Sequence, residues 1–202
     1  MTRAVFTRED ADTRRQALIE ATAASLAETG IAGTSVRAIC TRAGVSAGLL
    51  RHYFDGVDAL IAETYRTATA TVGEAHAAAV AAAGTDPRAR LIAYVTASFR
   101  PPVADPALLA TWLAFWSLVK TDAAIAAIHA ETYRGYRGEL EALLSSCGLE
   151  QTQCRSAAIA LTALVDGLWL ELTLDPTTFT AEQASAMAVR WLDALLEGRG
   201  FG

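Results

Sequence analysis

Apolar residues recur at helical spacing along almost the whole chain, and no stretch sustains the alternation of a half-buried strand. Leu18, Ala21, Ser25 and Leu26 form one stripe. Thr13-x-x-Gln16 stands ahead of it in the form of a capping box, and Gly30 ends it. A short helix is predicted from Thr34, with Val36, Ile39 and Cys40 inward, and the turn Ala43-Gly44-Val45 stops it. Ser46 is placed to cap a still shorter helix reaching Phe54. Asp55-Gly56 separates that helix from a long alanine-rich one over 57–82. The clusters at 84–87 and 101–106 are breaks rich in glycine and proline. Further helices fit 88–99, 107–120, 122–147, 151–174 and 180–196, the last behind a second capping box, Thr180-x-x-Gln183. The pattern predicts an all-α chain of about nine helices.

Two short helices joined by a tight turn, the second capped by serine, describe a helix-turn-helix over about 34–54. In that motif the second helix enters the major groove of double-stranded DNA. Leu50 and Phe54 stand four apart and share an inward face, which leaves Gly48, Arg51, His52 and Tyr53 on others. Gly48 lets the backbone approach the duplex, and the Ser46 hydroxyl with the helix N-terminal amides suits a phosphate. Leu49 suits a thymine methyl, Arg51 a guanine or phosphate, and His52 and Tyr53 the sugar–phosphate backbone. Thr34, Ser35 and Arg37, at the start of the preceding helix, complete the candidate DNA-binding set. The competing reading is a helical hairpin inside an ordinary bundle.

Charge sharpens that choice. The 202 residues carry a net charge of −5, which speaks against a broadly basic coat for nucleic acid. Residues 1–56 nevertheless sum to +1 and the remainder to −6, so any surface facing a polyanion lies in the first quarter. Hydrophobic residues make up 52 %, enough for a substantial core. Cys40, Cys147 and Cys154 have no metal-ligand spacing and read as reduced, cytosolic thiols. Nothing at the N-terminus has the form of a signal peptide. The apolar run 157–174 is interrupted by Asp166, Gly167 and Glu171, so a buried helix or a subunit interface is expected there, not a membrane span. The expectation is a cytoplasmic protein.

Residues 14–60 resemble the N-terminal domain of the TetR family of transcriptional repressors. The matching elements are Gly30, Thr34-Ser35-x-x-x-Ile39, Ala43-Gly44-Val45-Ser46-x-Gly48 and His52-Tyr53-Phe54. WLAFW (112–116) and ALVDGLWLEL (163–172) are similar to the C-terminal domain of BetI-type, choline-responsive repressors. The resemblance implies a DNA-binding domain over 1–56 and a helical ligand-binding and dimerisation domain over 57–202. It also implies a homodimer on a pseudo-palindromic operator, released by a small-molecule inducer, with no cofactor. The last two long helices would pair with their twofold mates, through the 159–172 run and the stripes Met187-x-x-x-Trp191 and Leu192-x-x-Leu195. One departure stands out. The family usually has a phosphate-binding lysine three residues after the Phe54 position, and here that residue is Val57, which should cost about one counterion of salt dependence.

Trp112, Phe115 and Trp116 share one helical face, with Tyr133 and Tyr136 on the next helix and Trp169 near Asp166 on the one after. Aromatic faces beside a carboxylate suit an organic cation such as choline, held by cation–π attraction and one counter-charge. Trp112, Phe115, Trp116, Tyr133, Asp166 and Trp169 are the candidate ligand-binding residues. The same stripe also fits ordinary core, or a less polar pocket for a neutral or lipophilic compound, and a helical protein that no longer binds DNA is a further rival. His76 and His129 read as solvated or core residues without metal-ligand partners, and no catalytic constellation is visible, so no enzyme is expected.

Overall fold

Aspartate and proline decide where several of the helices begin. In the computed structural model, which describes residues 8–198, there are nine α-helices and no strand among the described residues. Helices α5 (Pro87–Ala97) and α6 (Pro106–Leu118) start one residue before the predicted positions. Asp86 and Asp105 cap them through backbone amides of the first turn, and proline at the first helical position loses no hydrogen bond. Asp122 caps α7 (Ala123–Ser146) in the same way, and α8 (Gln151–Leu174) runs as predicted. Thr180 and Gln183 form both bonds of a capping box at the head of α9 (Ala181–Leu196).

At the other end the first capping box fails. Helix α1 (Arg8–Gly33) already runs through Thr13, which therefore lies inside it and not at its cap. Gly30 breaks the helix as expected, at φ 62°. Arg3 of the positively charged first quarter lies outside the described residues.

Helices α2 (Val36–Ala43) and α3 (Ala47–Tyr53) form the helix-turn-helix. Ser35 caps α2 and Ser46 caps α3, each accepting a bond of 3.2 Å from a backbone amide. Gly44 takes the left-handed conformation, φ 66°, that turns the chain between them. Leu18, Ile19 and Ala21 of α1, Ile39 and Cys40 of α2, Leu50, Phe54 and Leu60 make a small core of their own. Leu50 is fully buried at its centre, so Leu50→Ala should cost about 2–5 kcal/mol, read as a lowered urea midpoint.

The long helix α4 (Val57–Ala82) belongs to two cores at once. Leu60 packs into the small core, while Ile61, Ala62 and Tyr65 enter the large one built from α5 to α9. Helix α1 spans both too, through Leu26, and it lies along α6. The Thr111 hydroxyl, 2.7 Å from the Ala107 carbonyl, also reaches the α1 carbonyl of Ala23 at 3.2 Å. Arg15 ties α1 to α4 by a 2.5 Å ion pair with Glu63 and lies over the Phe54 ring. Helices α4, α5 and α7 pack pairwise around a space that α6 and α8 close.

Helix α8 is long and apolar enough to cross a membrane, but Leu161, Val165 and Trp169 are buried in the large core. Ile159 (50 % exposed) and Leu174 (67 %) remain outside on the same helix. On α9 one expectation is corrected. Leu192 and Leu195 are buried in the core of their own chain and are closed to a partner, whereas Met187 and Trp191 are half-buried.

Candidate DNA-facing helix and ligand cavity

Helix α3 presents Ser46, Ala47, Gly48, Arg51 and His52 to solvent, with Leu49 half-buried. A Cβ at Gly48 would meet only the Ser46 Oγ, at 3.7 Å, so nothing inside the chain requires glycine there. Arg37 is exposed on α2 and Ser35 is its cap. Two members of the predicted set are otherwise engaged. The Thr34 hydroxyl donates to the Gly30 carbonyl at 2.8 Å and secures the end of α1. The Tyr53 hydroxyl is buried without a hydrogen-bond partner among the described residues, and the tyrosine packs against the small core while His52 stays outside. Val57, in place of the usual lysine, packs against both cores.

A small cavity lies between α4, α6, α7 and α8. Trp112, Tyr133, Tyr136, Asp166, Trp169 and His76 line it, with Val72, Ser98, Thr132 and Val165 between them. Trp112 and Trp169 stand edge to face, ring centres 5.7 Å apart. The Tyr133 hydroxyl donates to Asp166 Oδ1 at 3.2 Å. Loss of water around it pushes the Asp166 carboxyl up to about 6, against the pull of that hydrogen bond and of the Arg137 charge. Among the described residues Asp166 makes no ion pair.

Of the predicted ligand set, Trp112, Tyr133, Asp166 and Trp169 come together here. Phe115 does not. It is fully buried and stacks on Tyr65, ring centres 4.3 Å apart, as part of the core. Trp116 lines a separate outer groove beside α8, which shares Tyr133 and Asp166 with the cavity. The aromatic stripe of α6 thus divides three ways, because α4 takes up the Phe115 edge.

His76, Ser98 and Thr132 were missed. His76 is 3 % exposed, with Nδ1 2.7 Å from the Val72 carbonyl and Nε2 3.0 Å from the Ser98 hydroxyl. A carbonyl only accepts, so Nδ1 carries the proton and Nε2 accepts from Ser98. Burial lowers the His76 pKa and keeps the ring neutral. The signal was present in the run Tyr65, Val72, His76, which lies on one face of α4. Trp169 Nε1 donates to the Ser98 carbonyl at 2.8 Å, which locks the indole in the wall. The Tyr136 hydroxyl is buried beside Ser98 and makes no hydrogen bond of normal geometry among the described residues. Among the described residues no cluster of side chains could hold a metal ion.

Comparison with known proteins agrees with this layout. Residues 18–64 match the model of bacterial regulatory proteins of the tetR family, and 87–197 match the BetI-type transcriptional repressor C-terminal domain. The HTH-type transcriptional regulator BetI of Burkholderia thailandensis is 36 % identical over 187 residues, 92 % of this chain and 95 % of that one. A transcriptional regulator of Pseudomonas aeruginosa PAO1 superposes with a TM-score of 0.87 at 41 % identity, covering 98 % of this chain and 97 % of the other. A regulator of Saccharomonospora viridis, solved in complex with choline, shares the fold at TM-score 0.79 and 16 % identity, over 90 % and 96 % of the two chains. The curated relatives are transcriptional regulators, not enzymes. The chain belongs to the TetR family of transcriptional regulators and carries a BetI-type repressor C-terminal domain.

Proposed function

We propose that this repressor binds its operator as a homodimer and leaves it when a small organic cation enters the cavity between α4, α6, α7 and α8. The observation that carries the ligand class is Asp166, a carboxylate without an ion pair, set among indole and phenol rings. A cation there gains cation–π attraction and supplies the direct ion pair that the more distant Arg137 charge does not make. Choline is the first cation to try.

On the DNA side, residues up to Gly56 form the reading head and the rest the ligand-binding and dimerisation body. Helix α3 enters the major groove, with Gly48 close to the duplex and Arg51, His52, Leu49 and Ser46 in contact. Ser35 and Arg37 reach the flanking phosphates, and Thr34 and Tyr53 support from behind. The exposed α8 stripe with Ile159 and Leu174, together with Met187 and Trp191 of α9, pairs the two protomers. The pair sets the reading helices about 34–36 Å apart or somewhat more. Two routes link cavity and reading head: α4, which runs from one core into the other, and Trp112 on α6, whose neighbour Thr111 touches α1. A tenfold release needs only about 1.4 kcal/mol of preference for the non-binding state. The protein acts in the cytoplasm, where its operator lies.

Calorimetric titration of choline into the dimer, paired with gel-shift titration on DNA selected from a random pool, tests both halves. Arg51→Ala is expected to weaken operator binding and lower its salt slope by about one, while sedimentation still shows a dimer. Tyr53→Phe should change affinity less, since the hydroxyl is buried in the free protein. Unchanged affinity with Arg51→Ala would remove α3 from the interface, and absence of cation binding would leave a neutral ligand.

A further inference from the structure

The inner cavity is small, about 50 Å³, room for about four waters. It does not end at its own walls. Val72, His76, Thr132 and Tyr136 also line an open cleft of about 860 Å³ between α4, α5 and α7. Gly73 on α4 and Gly135 on α7 line that cleft from two helices. A Cβ at either would meet nothing within 4 Å, and neither has a left-handed backbone, so the packing of the chain requires glycine at neither position. Glycine is the least favourable residue in a helix interior after proline. The width of the cleft is what these two preserve.

The chemistry of the cleft is also specific. Tyr94, Tyr136 and Ile128 give it an apolar base. Arg66 and Arg90 stand against Glu131 and Glu139 around it, so neither sign of charge dominates. At the junction with the inner cavity stands the Tyr136 hydroxyl, buried and with no hydrogen bond of normal geometry among the described residues. Ser98, its polar neighbour, donates its proton to His76, which leaves the serine oxygen open to accept from Tyr136 until a better-placed acceptor enters.

Building on the cation reading above, we infer that the ligand is longer than its cationic head: an O-acylated amino alcohol with a quaternary ammonium group. The head sits against Asp166, Trp112 and Trp169. The ester oxygen accepts from Tyr136, and the uncharged acyl chain lies in the cleft over Tyr94 and Ile128.

Calorimetry on the dimer with choline and with butyrylcholine tests this. Wild type should bind butyrylcholine at least about tenfold more tightly than choline, a gain of about 1.4 kcal/mol. Gly135→Leu and Gly73→Leu should erase that advantage and leave choline affinity within about twofold. Tyr136→Phe should weaken butyrylcholine more than choline, and Gly138→Leu, on the same helix but away from the cleft, should change neither. Unfolding midpoints check that each variant is folded. Choline bound as tightly as butyrylcholine by wild type, or both ligands weakened alike by Gly135→Leu, would overturn the inference while leaving the cation cavity standing. Butyrylcholine bound equally by wild type and Asp166→Asn, or no binding of either ligand, would overturn the cation reading itself and the inference with it.

Discussion

Asp166→Asn is expected to make the ligand-free protein more stable and at the same time unresponsive to organic cations. The carboxyl titrates at about 6 in the folded chain and near 3.8 when unfolded. Between those values the native state holds the proton that the unfolded state has lost. Stability therefore falls as pH rises through that window, and the full cost is present above pH 6. A rise from 3.8 to about 6 corresponds to about 2–3 kcal/mol at neutral pH. Asparagine keeps the acceptor for the Tyr133 hydroxyl and removes only the charge. Thermal melts at pH 7 should show the variant more stable, and the difference should shrink toward pH 4. Calorimetry should show its cation binding lost. For wild type, the same titration predicts that cation affinity drops about tenfold per pH unit below pH 6, because the cation must then displace a proton. A variant less stable than wild type at pH 7 would count against a carboxylate held without a partner.

Gly48→Ala should separate stability from operator binding in the opposite part of the molecule. Alanine is favoured over glycine in a helix by about 0.5–1 kcal/mol, and the new methyl would meet Ser46 Oγ at an ordinary 3.7 Å. The melting temperature should rise slightly. If the backbone of α3 lies against the duplex, the same methyl should reduce operator affinity about tenfold or more, measured by fluorescence anisotropy. Equal affinity for both proteins would show that α3 stands further from the DNA than its glycine suggests. Both experiments share a logic: a residue that costs the free protein stability is retained for a contact that the free chain does not contain.

How far the sequence could be read follows from the range of the forces involved. Caps and breaks are local, so Ser46, Thr180 and the turn at Gly44 were legible, and α4 and α8 run between their predicted ends. The capping pattern at Thr13 did not mark a helix start, because α1 already runs through it and a four-residue motif can also fall inside a helix. The cavity was only half legible. Helical spacing put Trp112, Phe115 and Trp116 on one face, but spacing does not say which neighbour that face meets. Tyr65 of α4 claims Phe115, α7 and α8 enclose Trp112, and Trp116 is turned to the outer groove. His76 and Ser98, twenty-two residues apart, are joined by a hydrogen bond that no local pattern announces.

By itself, then, the sequence determined that this chain is all helix, that α2 and α3 form a reading head with Gly48 and Arg51 outward, and which family it joins. These depend on side chains three or four positions apart and on motifs within one segment. Tertiary structure alone decided that Leu192 and Leu195 face inward and that Asp166 is drawn out of water without a direct ion pair among the described residues. It also decided that a second space opens beyond Tyr136. Burial and the electrostatics that follow from it are properties of what helices exclude together, and no single helix carries them.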